Sequence, residues 1–204
     1  MPRSIDDQAI SGHEGVVMVF QRRVKATMVW MLCLYSQTLI AGDPYPLIDP
    51  PLCFNDRGET VEYITRSASQ GQVAAGMANR DSDGRPIIVR MNYDKADPAF
   101  QRFVDFHECA HHQVGHVDQP HPPRNSFDHL MNESIADCVA ILRVREEANH
   151  TYSQVIEELT EAMSLVGFPK ISTDSRLSNL ENCYRKDRSS EAFIAGIIAE
   201  YEKR

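Results

Sequence analysis

The stretch Asp97-Pro98-Ala99-Phe100-Gln101-Arg102-Phe103-Val104-Asp105-Phe106-His107-Glu108-Cys109-Ala110-His111 decides how the rest of the chain is read. Asp97 has a side chain that can accept from the free N–H groups at a helix start. Pro98 stands at the first helical position, where its missing N–H costs nothing. Phe100, Phe103, Val104, His107, His111 and Val114 then recur at intervals of three and four. That spacing predicts a helix with these residues on one inward face. The two histidines therefore continue an apolar stripe.

His107-Glu108-Cys109-Ala110-His111 has the form H-E-x-x-H. At i and i+4 on a helix, two imidazoles lie one turn apart and can reach one ion. Zinc is the ion expected, since it takes neutral imidazole nitrogens, wants about four ligands and lowers the pKa of bound water to about 7. Glu108 is turned about 100° from His107. Its carboxylate would stand beside the ion and take a proton from that water. Cys109, about 200° round the helix, faces away from the ion and is read as packing or disulfide-bonded. His112 is read as a surface residue and His116 as structural, because Val114 and Val117 break the frame that would make His116 a third ligand.

Downstream, Val117 to Asn125 contains Pro120, Pro122 and Pro123, which interrupts any helix. Ser126 caps a second helix running to about Ala148, which offers Glu133-Ser134-Ile135-Ala136-Asp137. Glu133 comes 22 residues after His111 (133 − 111), enough chain to turn back alongside the first helix. It would complete a two-His, one-Glu site with an open position. Asp137, one turn further, would accept the second N–H of a ligand histidine and fix its ring. Arg143, Arg145, Glu146 and Glu147 are read as a solvated helix face. A third helix is predicted from Thr151, through Val155, Leu159, Met163 and Val166, stopping at Gly167. A mixed stretch follows, then a last amphipathic helix from about Ser190 to Glu202.

Upstream, Pro86 to Asn92 is the clearest strand, rich in β-branched residues, with Val61–Ile64 and Gln72–Met77 as weaker ones. Asp81-Ser82-Asp83-Gly84 is turn chemistry and predicts a hairpin, and Pro86 suits an edge strand. The class expected is α+β: a small antiparallel sheet with an edge strand packed on the metal-binding helix, followed by a helical C-terminal part.

The first 42 residues differ from the rest. Arg22, Arg23 and Lys25 precede an uncharged run from Ala26 to Gly42, followed by a Pro-rich lead-in. Basic flank, short apolar run and small residues have the layout of an export signal, with translation starting at Met18 as one way to shorten its front. An uncleaved anchor that tethers the chain to a membrane and a buried N-terminal helix are the other readings. The expected division is 1–42 as signal or anchor and 43–204 as one domain, in the periplasm or secreted. Cys33 would leave with the signal. Cys53, Cys109, Cys138 and Cys183 then form an even set fit for two bridges in an oxidising compartment, in any of three pairings, a Cys109–Cys138 pair among them. A 42% hydrophobic and 25% charged composition is that of a globular domain, and a net charge of −8 without a basic stripe argues against nucleic acid as a partner.

H-E-x-x-H at 107–111 with Glu133-x-x-Ala136-Asp137 resembles the gluzincin metallopeptidases. With a histidine at 116 it looks like their CaaX-endopeptidase-like branch, although the gap between the motif halves is nearer that of compact gluzincins. The resemblance spans roughly residues 85 to 140. It implies that His107, His111 and Glu133 bind zinc, Glu108 is the general base, Asp137 orients a ligand histidine, and Ile87–Asn92 is the edge strand on which an extended peptide or protein substrate lies. The group that steadies the oxyanion is assigned to Arg176, with His129 and Tyr184 behind it. Two readings from other classes stay open: a zinc-stabilised binding domain without catalysis, and a hydrolase of a non-peptide amide. A di-iron bundle is excluded, because Ala136 stands where a second Glu-x-x-His needs histidine.

Overall fold

The computed structural model describes residues 44–66, 73–147 and 152–203. The segment 1–42 expected as signal or anchor lies outside these residues, as do the ends expected at Ala148 and Thr151. In chain order the elements are strands β1 (Glu62–Arg66), β2 (Ala75–Arg80) and β3 (Pro86–Met91), then helices α1 (Pro98–Gln113), α2 (Phe127–Glu147), α3 (Tyr152–Leu165), α4 (Lys170–Tyr184) and α5 (Ser190–Tyr201), with a 3-10 turn at His116–Asp118 between α1 and α2. The class is α+β, with the sheet first and the helical part C-terminal.

The sheet order is β1-β3-β2, with β2 antiparallel to β3 and β1 parallel to it. The sheet is therefore mixed, not wholly antiparallel as the sequence implied. β3 is its centre, not its edge. Its run from Pro86 to Arg90 is buried throughout, which only a central strand covered on both faces demands. Pro86 is tolerated there because it opens the strand. The hairpin before it forms as expected: the Asp81 carboxylate accepts from Asp83 and Arg85 amides at 2.9 Å, and Gly84 takes φ +81°.

Helix α1 is more deeply placed than a one-faced amphipathic helix. Asp97 caps it by accepting from Ala99 N–H at 2.7 Å. One side meets β2 and β3, another meets α2 and α3, so most of its residues are buried. Ala110 and Cys109 are fully buried. His112, read as a surface residue, is also buried, with Nε2 at 2.9 Å from the Ile87 carbonyl of β3. Buried Gln101 clamps the Pro-rich lead-in: it accepts from Ile48 N–H at 3.1 Å and donates to the Pro46 carbonyl at 3.0 Å. Arg90 of β3 reaches both the Ile48 carbonyl (3.0 Å) and Asp105 of α1 (3.1 Å), so lead-in, sheet and helix meet on one guanidinium.

Two disulfides form, Cys53–Cys109 and Cys138–Cys183. The Cys109–Cys138 alternative is not the one adopted. Cys109 faces the sheet side with Cys53, Val61 and Ile88, while Cys138 faces α4. The stretch after Gly167 is helical, which its sequence does not announce: α4 buries little beyond Leu180 and Cys183, so there is almost no apolar stripe to read. Glu146 of α2 is exposed and Arg145 half-exposed, as a solvated face requires, but both also hold neighbouring helices. Arg145 donates to the carbonyls of Tyr184, Lys186 and Arg188 at 2.6–2.7 Å, satisfying the open end of α4. Glu146 accepts from both the amide and the hydroxyl of Ser190 at 2.6 Å, holding the start of α5. Among the described residues no helix is long and apolar enough to cross a membrane.

The Cys53–Cys109 bridge closes a separation of 56 residues. Loop-closure entropy for that span is about 4 kcal/mol, so a Cys53→Ala/Cys109→Ala variant is expected to lose a stabilisation of that order in urea unfolding. A second expectation concerns pH. Asp118 takes a two-pronged hydrogen bond from Arg80 (2.6 and 2.9 Å), which ties the 3-10 turn to β2 and holds its carboxyl below the usual range. Because the folded pKa is the lower one, this stabilisation is complete above the unfolded value of about 4 and fades as pH falls. Asp118→Asn should cost about 1 kcal/mol at pH 7, with the gap to wild type narrowing in denaturation curves toward pH 3.

Candidate metal centre

α1 and α2 cross so that the motif halves meet. His107 and His111 project from the C-terminal part of α1, and Glu133 comes from the second turn of α2, one side of a cleft of about 280 Å³. His107 Nε2 lies 3.2 Å from His111 Nε2 and 3.4 Å from Glu133 Oε2, and His111 Nε2 lies 3.5 Å from Glu133 Oε1. An ion held tetrahedrally by bonds of about 2.1 Å separates its ligands by about 3.4 Å. The His107–His111 spacing is close to that edge length, and Glu133 meets the two histidines with different oxygens at similar distances. These residues could hold a metal ion. Two imidazoles and one carboxylate favour a transition-type ion over magnesium or calcium, which prefer oxygen ligands.

The two histidines are fixed from behind. His107 Nδ1 sits 2.9 Å from Asp137 Oδ1, which makes it the donor and leaves Nε2 to face the cleft. Asp137 in turn takes two hydrogen bonds from Arg176 of α4, both 2.7 Å. Burial alone would raise the Asp137 carboxyl, but the Arg176 charge and His107 overcome it and hold it low. Burial would likewise lower His107, yet Asp137 and Glu133 push it up to about 10. His111, buried beside a charged His107, is held down at about 3, and burial also lowers His116, to about 4. Within the cluster, positive charge is thus favoured on His107 over His111 and His116.

Glu108 points to the opposite wall. Its Oε2 accepts from the Ala78 amide of β2 at 2.7 Å, and burial raises its carboxyl. β2 is an edge strand of the described sheet, and its residues Gly76 to Asn79 line the cleft facing His107, His111 and Glu133. Gly76 is where side chain and strand come closest. A Cβ there would overlap Glu108 Cγ and lie 2.8 Å from both Glu108 Oε1 and Val104 Cγ1.

The residues assigned from sequence divide as follows. His107, His111, Glu133, Glu108 and Asp137 come together. Arg176 does not line the cleft; it stands behind Asp137, and its guanidinium is committed there. Tyr184 packs on Tyr152, away from the site. His129 does line the cleft, one helical turn before Glu133 on the same side of α2, and its Nδ1 is buried without a hydrogen bond among the described groups. Sequence reasoning missed Gly76 and the Ala78 amide, for which no local signal exists. It also missed the contact of His116 with His111. No family model, no curated protein and no solved structure matches this chain.

Gly76→Ala should force Glu108 off the Ala78 amide, an overpacking cost of about 1–3 kcal/mol. Combined with Glu108→Ala, the penalty should shrink to what the remaining contact with Val104 Cγ1 costs. A double-mutant cycle by chemical denaturation reads this directly. Equal cost of Gly76→Ala in both backgrounds would show that Glu108 is not the obstacle.

Proposed function

We propose that this chain is a metal-dependent hydrolase, with His107, His111 and Glu133 as its ligands. More narrowly, the ion is zinc and the substrate an extended peptide, as in a compact gluzincin. The observation that carries this reading is the pairing of an open three-ligand group with Glu108, a buried carboxylate on the cleft wall with its own hydrogen bond to β2. Structural zinc sites are usually closed by four protein ligands and have no use for such a neighbour.

Bound there, zinc would polarise a substrate carbonyl and make water acidic enough to yield a nucleophile near neutral pH. The remaining work falls to the chain. Glu108, with its carboxyl raised by burial, takes the proton of the attacking water and passes it to the leaving amine. The Ala78 amide fixes which oxygen of Glu108 is free to do so. His129, with its Nδ1 unpaired among the described groups, is a cleft side chain suited to donate to the oxygen that becomes negative, the role expected of Arg176. Arg176 instead positions His107 through Asp137. Apart from the Ala78 amide that Glu108 takes, the outer edge of β2 would receive substrate by strand addition, replacing β3, which lies in the sheet's interior. The two disulfides are compatible with the oxidising compartment that export through residues 1–42 would reach.

The test is metal content beside peptide cleavage. Wild type should hold about one zinc per chain and cleave members of an unstructured peptide library. Glu108→Gln should keep the zinc and lose about 10²- to 10⁴-fold in kcat, whereas Glu133→Ala should lose the zinc. Cleavage that survives Glu108→Gln would sink the mechanism. Zinc binding with no cleavage of any peptide would favour a binding domain, and a folded wild type that takes up no zinc would end the metal reading.

A further inference from the structure

Beyond the ligands themselves, His111 has a support of its own, and it comes from the far end of the chain. Gly115 at φ +74° turns the backbone out of α1 and starts the 3-10 turn that brings His116 back against the helix. There His116 is buried, with Nδ1 at 3.0 Å from His111 Nδ1 and Nε2 at 3.1 Å from the Tyr201 hydroxyl oxygen. Tyr201 is the last residue of α5.

We propose that His116 and Tyr201 position His111 for metal, as Asp137 and Arg176 position His107, so that an ion in the site and the last turn of α5 hold each other in place. The proposal rests on the metal reading of the His107–His111–Glu133 group. Its logic is one of hydrogen placement. For His111 to offer Nε2 to an ion, its ring hydrogen must sit on Nδ1. Two ring nitrogens 3.0 Å apart share a single hydrogen, so His116 Nδ1 is then the acceptor and the His116 hydrogen is on Nε2. That N–H finds the Tyr201 oxygen. The opposite arrangement would put the His111 hydrogen on Nε2 and remove the ligand lone pair. By accepting the His116 hydrogen, Tyr201 supports the His111 tautomer that can bind metal, and an ion on His111 Nε2 would fix the whole relay in that direction.

The same chain of contacts ties the metal to α5. The start of that helix is held independently, by Glu146 on Ser190 and by its Ser189 cap. Its final turn touches the site through Tyr201. Coupling of this kind is reciprocal: whatever Tyr201 adds to metal affinity, the metal adds to the docking of the last turn.

The experiment is a zinc titration of the full chain against a chromophoric chelator, paired with amide hydrogen exchange with and without zinc. Tyr201→Phe removes only the hydroxyl and should weaken zinc binding several-fold; His116→Ala should weaken it about 10- to 100-fold. Melting of the metal-free Tyr201→Phe protein should match wild type. Zinc should slow exchange in the last turn of α5 in wild type and not in Tyr201→Phe. Glu146→Gln, which loosens the other end of α5, should leave zinc affinity unchanged, separating this role from general support of the helix. Should His116→Ala fail to fold, Tyr201→Phe carries the test alone. Zinc binding in wild type that is equal in Tyr201→Phe, or that brings no protection to α5, overturns the proposal and leaves the metal site standing. Absence of zinc binding in wild type overturns both.

Discussion

Asp137 is an ionised carboxylate carried into the contact between α1 and α2, where it is almost wholly shielded from water. Such a charge is tolerable only if it is paired and hydrogen-bonded on all sides. Here Arg176 takes both of its oxygens and His107 one of them. Satisfying Asp137 therefore fixes three helices relative to one another: α1 through His107, α2 through Asp137 itself and α4 through Arg176. The crossing of α1 and α2 that brings Glu133 to the histidines is held at the same point. Site geometry and helix packing share one constraint.

A second consequence concerns what occupies the convergence point. Two imidazole nitrogens 3.2 Å apart, with one Glu133 oxygen 3.4 Å from the first and the other 3.5 Å from the second, repel unless something positive lies between them. His107, whose pKa Asp137 and Glu133 raise, is the imidazole favoured to hold a proton there. A divalent ion would replace the proton and carry more charge to the same place, so metal uptake and proton release are coupled. The outer groups, Asp137 on one histidine and His116 on the other, set which ring nitrogen faces inward in either state.

Much of this site was legible in sequence because it is written in helical spacing. His107 and His111 are one turn apart, and so are Glu133 and Asp137; a capped helix on each side of a Pro-rich turn is enough to bring the two pairs together. The sheet was less legible. Pro86 marks a strand that opens without a first donor, and that condition is met both at an edge and at the start of a central strand. The continuous burial of Ile87, Ile88 and Val89 was the better guide. α4 was invisible because its stability comes from Arg176, Leu180, Cys183 and the Arg145 cap, contacts made with residues far away in sequence. His112 was misjudged and the capping role of Arg145 missed for the same reason: a charged or polar residue reads as exposed until the backbone carbonyl that it meets is known.

Cys109 of the Cys53–Cys109 bridge lies between His107 and His111 in the sequence of α1. A free thiolate there would be the softest donor in the neighbourhood and, in an unfolded or half-folded chain, a strong competitor for zinc beside two imidazoles. Once bridged it has no lone pair to offer as thiolate, and Cys138–Cys183 withdraws two more. If the histidines and Glu133 take a metal as proposed, oxidation of these four cysteines would remove their thiolates from the competition for it. Sulfur chemistry would then come first and metallation would follow, on a domain whose bridged cysteines leave nitrogen and oxygen as the donors at the site.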